Sequence, residues 1–155
     1  MSRICIAIIQ TTAENRQSVQ RIATEYAHNY FGVRFTLSYA EPFLKRYDGM
    51  GAVILDITDH KDCENCEMIL LPDGSSVNGR TNPIQMTKRM QALSEMLEKI
   101  TEVSLRTDLF IGDSGTEYDW FDMYEIEPQE LPQVVETGYH NDDSPQMHFA
   151  FIPSI

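Results

Sequence analysis

The sequence predicts an α+β fold in a single domain spanning residues 1–155, with two main helices packed on a mostly antiparallel or mixed sheet of about six to seven strands. Apolar residues recur at helical spacing in two long stretches, and shorter runs show strand-like patterns. The length of 155 residues suits one domain, and the 42% hydrophobic content lies in the ordinary globular range. That composition excludes the collagen, coiled-coil and disordered classes.

The first half of the chain is predicted to contain four strands and one helix. Residues 3–9 are apolar on both faces, which is typical of a central strand covered on two sides. Thr11 and Glu14 have the spacing of a capping box, and apolar residues then recur at helical spacing, so a helix is expected over about residues 12–30. The other three strands are predicted over residues 34–40, 52–57 and 67–71.

The second half is predicted to contain one long helix, one short helix and three strands. Asn82 is a favourable N-cap, Pro83 suits the first helical position, and an apolar stripe marks the buried side of the long helix. The glycine-rich turn over residues 112–115 is expected to join two strands in a hairpin. Those two strands are predicted over residues 104–111 and 117–126. A short helix ended by Gly138 is predicted over residues 128–137, and a last strand over residues 147–152.

The formal net charge of −12 is concentrated in the last third of the chain. Residues 1–106 carry 13 acidic and 12 basic side chains, whereas residues 107–155 carry 11 acidic side chains and neither lysine nor arginine. Nucleic acids and anionic lipids are themselves negatively charged, so direct binding to either is not expected. A basic protein is the partner that this charge favours, although a solvated acidic surface that only maintains solubility has the same composition.

The acidic third contains the predicted partner-binding surface. In one register of the strand expected over residues 117–126, four side chains point at the core: Tyr118, Trp120, Tyr124 and Ile126; a shift by one residue reverses the two faces. The alternate residues are predicted to point outward and mix carboxylates with large apolar groups. Apolar anchors supply burial at an interface, and carboxylates steer a cationic partner towards it. The predicted partner-binding residues are Asp113, Glu117, Asp119, Phe121, Asp122, Met123, Glu125, Glu127 and Glu130.

A Cys-x-x-Cys motif has the spacing of half a zinc site. Cys63 and Cys66 can chelate one ion at this spacing, and His60 lies three residues upstream. Tetrahedral zinc needs four ligands, however, and the chain has no second pair of this kind. Three interpretations stay open: unliganded loop thiols, a redox-active dithiol, or a zinc-binding protein or small metal-dependent enzyme that uses His60, Cys63 and Cys66. No cofactor is expected.

The chain is expected not to be an enzyme, because no catalytic signature is found. Residues 112–115, Gly-Asp-Ser-Gly, match the letters around the nucleophile of trypsin-like proteases, but that fold requires two β-barrels and a longer chain. Three cysteines give no disulfide framework, which predicts a cytoplasmic location with reduced thiols. No stretch approaches the about 20 apolar residues of a membrane span, and the first apolar run is too short for a signal peptide.

The segment from Glu117 to Val135, an acidic aromatic strand followed by Glu127-Pro128-Gln129-Glu130-Leu131, resembles the C-terminal parts of some bacterial immunity proteins. Those proteins are cytoplasmic inhibitors that bind and block a cognate toxin, often a basic nuclease, in polymorphic toxin and contact-dependent growth inhibition systems. The resemblance implies a non-catalytic inhibitor whose partner is a toxin domain. A nucleic-acid-mimicking inhibitor of a DNA-binding protein shares the acidity and stays open as a further interpretation.

Overall fold

A five-stranded mixed sheet organises the part of the chain that the computed structural model describes, residues 3–26, 52–56, 83–113, 115–142 and 145–153. Its strands are β1 (Arg3–Gln10), β2 (Val53–Asp56), β3 (Arg106–Asp113), β4 (Asp122–Glu125) and β5 (Met147–Phe151). The order is β2-β1-β3-β5-β4, with β4 parallel to β5 and all other neighbours antiparallel. The predicted α+β class with a mixed sheet is therefore confirmed.

Three α-helices accompany the sheet within the described residues, and they correspond to the two predicted main helices and the predicted short helix. They are α1 (Arg16–Tyr26), α2 (Pro83–Val103) and α3 (Leu131–Asn141), and single 3-10 turns span Tyr118–Trp120 and Pro128–Glu130. The prediction that Gly138 ends the last helix is wrong, because α3 continues through it to Asn141. A Cβ atom at Gly138 would lie 2.8 Å from the sulfur of Met147, so this glycine permits close contact between α3 and β5.

The helices cover one face of the sheet and enclose the main hydrophobic core. The apolar stripe predicted along α2 is confirmed by the burial of Met90, Leu93 and Leu97, each worth about 1.5–3 kcal/mol when fully buried. Ser94 on the same helix donates a buried hydrogen bond of 2.6 Å to the carbonyl of Pro128, which anchors the 3-10 turn before α3. Alternate strand residues form the sheet side of this core: Cys5, Ala7, Ile9, Val53, Leu55, Leu109, Ile111, Met147, Phe149 and Phe151.

The opposite face of the sheet also buries apolar side chains. A second cluster consists of Ile6, Ile8, Ala52, Ile54, Phe110 and Phe121. Strand β1 contributes to both clusters and lies between β2 and β3, as its two apolar faces predict. Towards β5 the same face becomes polar, because Asp108 and His148 lie on it beside Phe110.

The start of the first helix differs from the predicted capping box by one residue. The hydroxyl of Thr12, rather than that of Thr11, accepts a hydrogen bond of 3.2 Å from the amide of Asn15, and α1 begins at Arg16. Thr11 is used elsewhere, since its hydroxyl donates to the carbonyl of Val103 at 3.4 Å and so joins β1 to the end of α2. The predicted continuation of this helix to residue 30 lies outside the described residues.

The predicted hairpin between residues 104–111 and 117–126 is wrong. A turn does follow β3, because the amide of Thr116 donates to the carbonyl of Asp113 at 3.3 Å and Gly115 has a φ of 81°. The next strand, however, is the short β4, and it pairs with β5 in parallel. Strand β5 is largely buried and occupies the position beside β3, whereas β4 carries charges that suit the border of a sheet.

Several predictions fall outside the described residues. The strands over 34–40 and 67–71 and the N-cap at Asn82 are among them, as is the loop that contains the Cys-x-x-Cys motif. Strand β2 and the last strand lie where the sequence predicts them, within one residue at each end. Among the described helices, none is both long enough and apolar enough to cross a membrane.

Candidate functional site

The border of the sheet formed by β4 and the 3-10 turn before it presents exposed carboxylates around two large apolar side chains. We name the following six exposed residues the acidic edge: Glu117, Asp119, Trp120, Asp122, Met123 and Glu125. Within the described residues β4 pairs with β5 alone, so this edge forms the end of the sheet. Charged side chains there oppose the addition of a further strand, but that purpose does not require an exposed tryptophan and methionine.

The two neighbouring aromatic residues of this segment have exchanged their predicted positions. Trp120, predicted to face the core, is 75% exposed, and Phe121, predicted to face outward, is 6% exposed. The physical reason is the 3-10 turn, in which the amide of Trp120 donates to the carbonyl of Glu117 at 3.0 Å. Strand alternation therefore begins only at Asp122, and from there the outward position of Met123, 51% exposed, is confirmed.

A cleft of about 520 Å³ opens beside the acidic edge and shares Asp119 and Met123 with it. Strand register explains how the cleft forms. Met123 pairs with His148 across β4 and β5, and His148 pairs with Phe110 across β5 and β3, so the three side chains share one face of the sheet. The residues that line the cleft are Gln10, Arg106, Asp108, Asp119, Phe121, Met123 and His148.

Asp108 is a carboxylate in the wall of this cleft and is only 2% exposed. Arg106 donates from Nε to Oδ2 and from Nη2 to Oδ1, both at 3.0 Å, which is a two-point pairing. The Nε2 atom of His148 lies 2.7 Å from Oδ1 of the same carboxylate. These contacts engage both carboxylate oxygens and compensate the buried negative charge.

Burial and hydrogen bonding act on the pKa of Asp108 in opposite directions. Burial is the largest single influence, and it raises the pKa because it penalises the charged form. The hydrogen bonds to His148 and Arg106, with the positive charge of Arg106, favour the carboxylate and together hold the pKa below its ordinary value of 3.8. Asp108 is therefore ionised at neutral pH, and it balances the charge of Arg106.

Aromatic rings support the cleft from within the sheet face. The ring of His148 stacks on Phe110 with centroids 4.2 Å apart and planes 18° apart. Phe121 meets Phe110 edge-on, at 5.5 Å and 87°. The placement of His148 in a strand is confirmed, but its contact with Asp108 was missed, because that contact depends on the register of strands 40 residues apart. The sequence signal that was available is the pair Arg106 and Asp108, which strand alternation places on one face.

Asp113, one of the predicted partner-binding residues, has a partner within the fold. It is half-buried at the end of β3, where Gln146 donates from Nε2 to its Oδ2 at 2.8 Å. The backbone amide of Asp113 donates in return to Oε1 of Gln146, also at 2.8 Å. This double contact ties β3 to the segment before β5, and a role of Asp113 in partner binding stays a prediction.

The last three predicted carboxylates lie further along the same border of the sheet. Glu125, Glu127 and Glu130 line a smaller depression of about 270 Å³ with Ile126, Ala150 and Ile152. Glu130 also accepts a hydrogen bond of 2.9 Å from the amide of Glu127, which stabilises the 3-10 turn there. Six of the nine predicted residues thus line one of the two depressions, and the exposed Trp120 and Met123 lie beside or in the larger one.

Metal ligands are not grouped in the described part of the chain. No set of three or more histidine, cysteine, aspartate or glutamate side chains there could hold a metal ion. The motif residues His60, Cys63 and Cys66 lie outside the described residues, so the zinc interpretation stays a prediction.

Comparisons with protein-family models, with characterised proteins and with solved structures returned no match for this chain. The resemblance to immunity proteins therefore stays a proposal. Its physical support comes from the acidic edge and the adjoining cleft.

Proposed function

We propose that this protein is a non-catalytic binding protein that captures a basic protein partner, as an immunity protein that blocks a cognate bacterial toxin. The observation that carries the proposal is the exposure of Trp120 and Met123 among the carboxylates of the acidic edge. The proposed contact surface therefore combines apolar anchors with a charge that attracts a basic partner.

The exposed tryptophan supplies the affinity in this proposal. Tryptophan is enriched among interface residues whose truncation weakens binding by 2 kcal/mol or more, by about thirtyfold at least in affinity. Because most of the Trp120 side chain is exposed, its burial contributes little to the stability of the fold. A partner that covers the side chain removes its apolar surface from water, which favours binding. Methionine beside it is adaptable, and Met123 can fit the shape of the partner surface.

The carboxylates supply the speed and the preference for a basic partner. Residues 107–155 carry 11 acidic side chains without a lysine or arginine, so the field around the acidic edge is negative. Such a field raises the rate of association with a basic protein by about 10- to 1,000-fold at low salt. A toxin that must bind nucleic acid carries a basic surface, and rapid capture of a lethal partner favours strong electrostatic attraction.

The exposed apolar groups also separate this proposal from nucleic-acid mimicry. A mimic of DNA presents negative charge to a protein that recognises phosphates, and charge alone supplies most of that attraction. Trp120 and Met123 have no counterpart on a phosphate backbone. Replacement of Trp120 by alanine is therefore expected to weaken capture here, whereas in a mimic only the charge changes would do so.

Affinity capture from a lysate of the native host, compared among matched variants, tests the proposal. The wild type, Trp120→Ala, the double variant Asp119→Lys/Glu125→Lys and the control Glu14→Lys are immobilised at low salt. Glu14 is exposed at the other end of the described chain, just before α1. A basic protein retained by the wild type and Glu14→Lys, and lost by the other two, supports the proposal.

Two results contradict it. The first is equal capture of the same proteins by all four samples, which excludes the acidic edge as the contact. The second is an association rate with the purified partner that does not change between about 0.05 and 0.5 M salt, because screening over this range shortens the reach of surface charges severalfold.

A further inference from the structure

We propose that the cleft beside the acidic edge receives an arginine side chain of the basic partner. The inference rests on the proposed function and deepens it, since it assigns the part of the partner that enters the cleft. At about 520 Å³ the cleft lies within the about 300–1,000 Å³ typical of sites that enclose small ligands.

Two polar side chains of the cleft make no hydrogen bond or ion pair with other side chains among the described residues. The carboxylate of Asp119 makes no hydrogen bond or ion pair with another described side chain, and neither does the amide of Gln10. Both present acceptor oxygens. Asp108, by contrast, is already engaged on both oxygens by Arg106 and His148, so Asp119 is the carboxylate that remains for an incoming group.

The charge of the cleft favours a cation. Arg106 and Asp108 compensate each other through their two-point pairing, which leaves the negative charge of Asp119 uncompensated. Other carboxylates of the acidic edge, Glu117, Asp122 and Glu125, add to the negative field at its opening. An anion drawn to Arg106 would have to approach against this field.

The free carboxylate of the cleft favours arginine over lysine. Met123, which is 51% exposed, offers an apolar surface along which the three methylene groups of arginine can lie. A guanidinium can donate to both oxygens of Asp119 at once, because its five donors form a planar fork, whereas an ammonium group acts as a single point charge. It is also less strongly hydrated than an ammonium group, so its partial burial has a lower desolvation penalty.

The test uses the full protein and small probes, so it does not require the partner. N-acetyl-arginine amide, the matched lysine and citrulline amides, and inorganic phosphate are titrated separately while the Met123 methyl and Asp119 amide signals are followed by NMR. Citrulline keeps the shape of arginine without its charge. The arginine probe is expected to shift both signals, and to bind at least about fivefold more tightly than citrulline, as charge-assisted hydrogen bonds predict.

Variants locate the contact. Asp119→Asn is expected to weaken binding of the arginine probe by about fivefold or more, whereas Glu95→Gln, on helix α2 at the opposite face of the sheet, changes it by less than about twofold. Both residues are exposed, so both variants are expected to fold. Equal binding by citrulline, tighter binding by lysine or by phosphate, or an unchanged affinity in Asp119→Asn would each overturn the assignment.

Failure of this inference is distinguishable from failure of the proposed function. If the lysate experiment captures a basic protein through Trp120 and the probes do not bind the cleft, the partner contacts the acidic edge alone and the cleft assignment is wrong. If the arginine probe binds as expected and no capture depends on the acidic edge, the cleft recognises a guanidinium group and the proposed function is wrong.

Discussion

His148 and Asp108 lie on neighbouring strands, and the Nε2 atom of the histidine is 2.7 Å from Oδ1 of the buried aspartate. The contact joins β5 to β3 at the wall of the cleft. Arg106 pairs with the same carboxylate, so the negative charge of Asp108 is compensated within a cluster of three side chains. This arrangement leaves Asp119 to determine the charge that the cleft presents to a ligand.

The stability of the protein is expected to depend on pH through Asp108. Its pKa is lower in the folded state than in the unfolded chain, so ionisation favours folding. This contribution is present above the unfolded pKa, near 4, and is lost as the pH falls through the still lower folded pKa. Urea unfolding at a series of pH values measures it as a fall in the free energy of unfolding below about pH 4.

Asp108→Asn is expected to lower the free energy of unfolding by about 2–4 kcal/mol at pH 7, because Arg106 and His148 lose a charged acceptor. The variant should also show a smaller loss of stability on acidification than the wild type. Asp119→Asn is the matched control, since Asp119 is exposed and is expected to change stability by less than about 0.5 kcal/mol. An acid dependence unchanged by Asp108→Asn would contradict the assignment.

Trp120→Ala and Phe121→Ala are expected to differ sharply although the residues are adjacent. Trp120 is mostly exposed, so its replacement should change the free energy of unfolding by no more than about 0.5 kcal/mol. Phe121 packs against Phe110 in the second cluster, so its replacement should cost about 3 kcal/mol. Chemical denaturation of both variants measures these losses. A larger loss of stability for Trp120→Ala than for Phe121→Ala would support the orientation that strand alternation predicts, with Trp120 in the core.

This pair of residues also shows where sequence reasoning succeeded and where it failed. Strands β1, β3 and β5 were predictable because each is a short, mostly apolar run, and helix α2 because it has an apolar stripe at helical spacing. The segment before β4 was not, because a single 3-10 turn interrupts the period and reverses the faces of Trp120 and Phe121. The contact between Asp108 and His148 could not be predicted, because it requires the pairing of β3 with β5.

The fluorescence of Trp120 is expected to report both its exposure and the field around it. It is the single tryptophan of the chain, so its signal needs no assignment. Acrylamide, which is neutral, should quench it nearly as well as it quenches free tryptophan amide. The ratio of the caesium quenching constant to the iodide quenching constant should be at least about twofold higher for the protein than for free tryptophan amide, because the acidic edge attracts cations and repels anions.

Salt supplies the control for the quenching experiment. Addition of about 1 M sodium chloride shortens the screening length to about 3 Å, so the difference between caesium and iodide should shrink towards that of the free amide. The double variant Asp119→Lys/Glu125→Lys should reduce or reverse the difference at low salt. Poor quenching by acrylamide would show that Trp120 is covered.

Gly112→Ala is expected to destabilise the fold by about 1–3 kcal/mol through a steric clash. A Cβ atom at this position would lie under 3 Å from the ring of Phe121 and from Oε1 of Gln146. Both neighbours have a structural role: Phe121 forms part of the cleft lining, and Gln146, which accepts from the amide of Asp113, ties β3 to the segment before β5. Gly115→Ala is the comparison variant, because no atom lies within 4 Å of a Cβ atom placed at Gly115. Its φ of 81° means that any loss of stability in this variant comes from backbone strain instead of a steric clash.

A second substitution distinguishes the two causes. In a Phe121→Leu background the smaller side chain should relieve part of the clash, so Gly112→Ala should destabilise by at least about 0.5 kcal/mol less there than in the wild type. Gly115→Ala should be unaffected by that background, but Gly115→Asn should restore part of the lost stability, because asparagine tolerates a positive φ better than alanine does. Additive effects of Gly112→Ala and Phe121→Leu would show that the ring of Phe121 does not limit the space at Gly112.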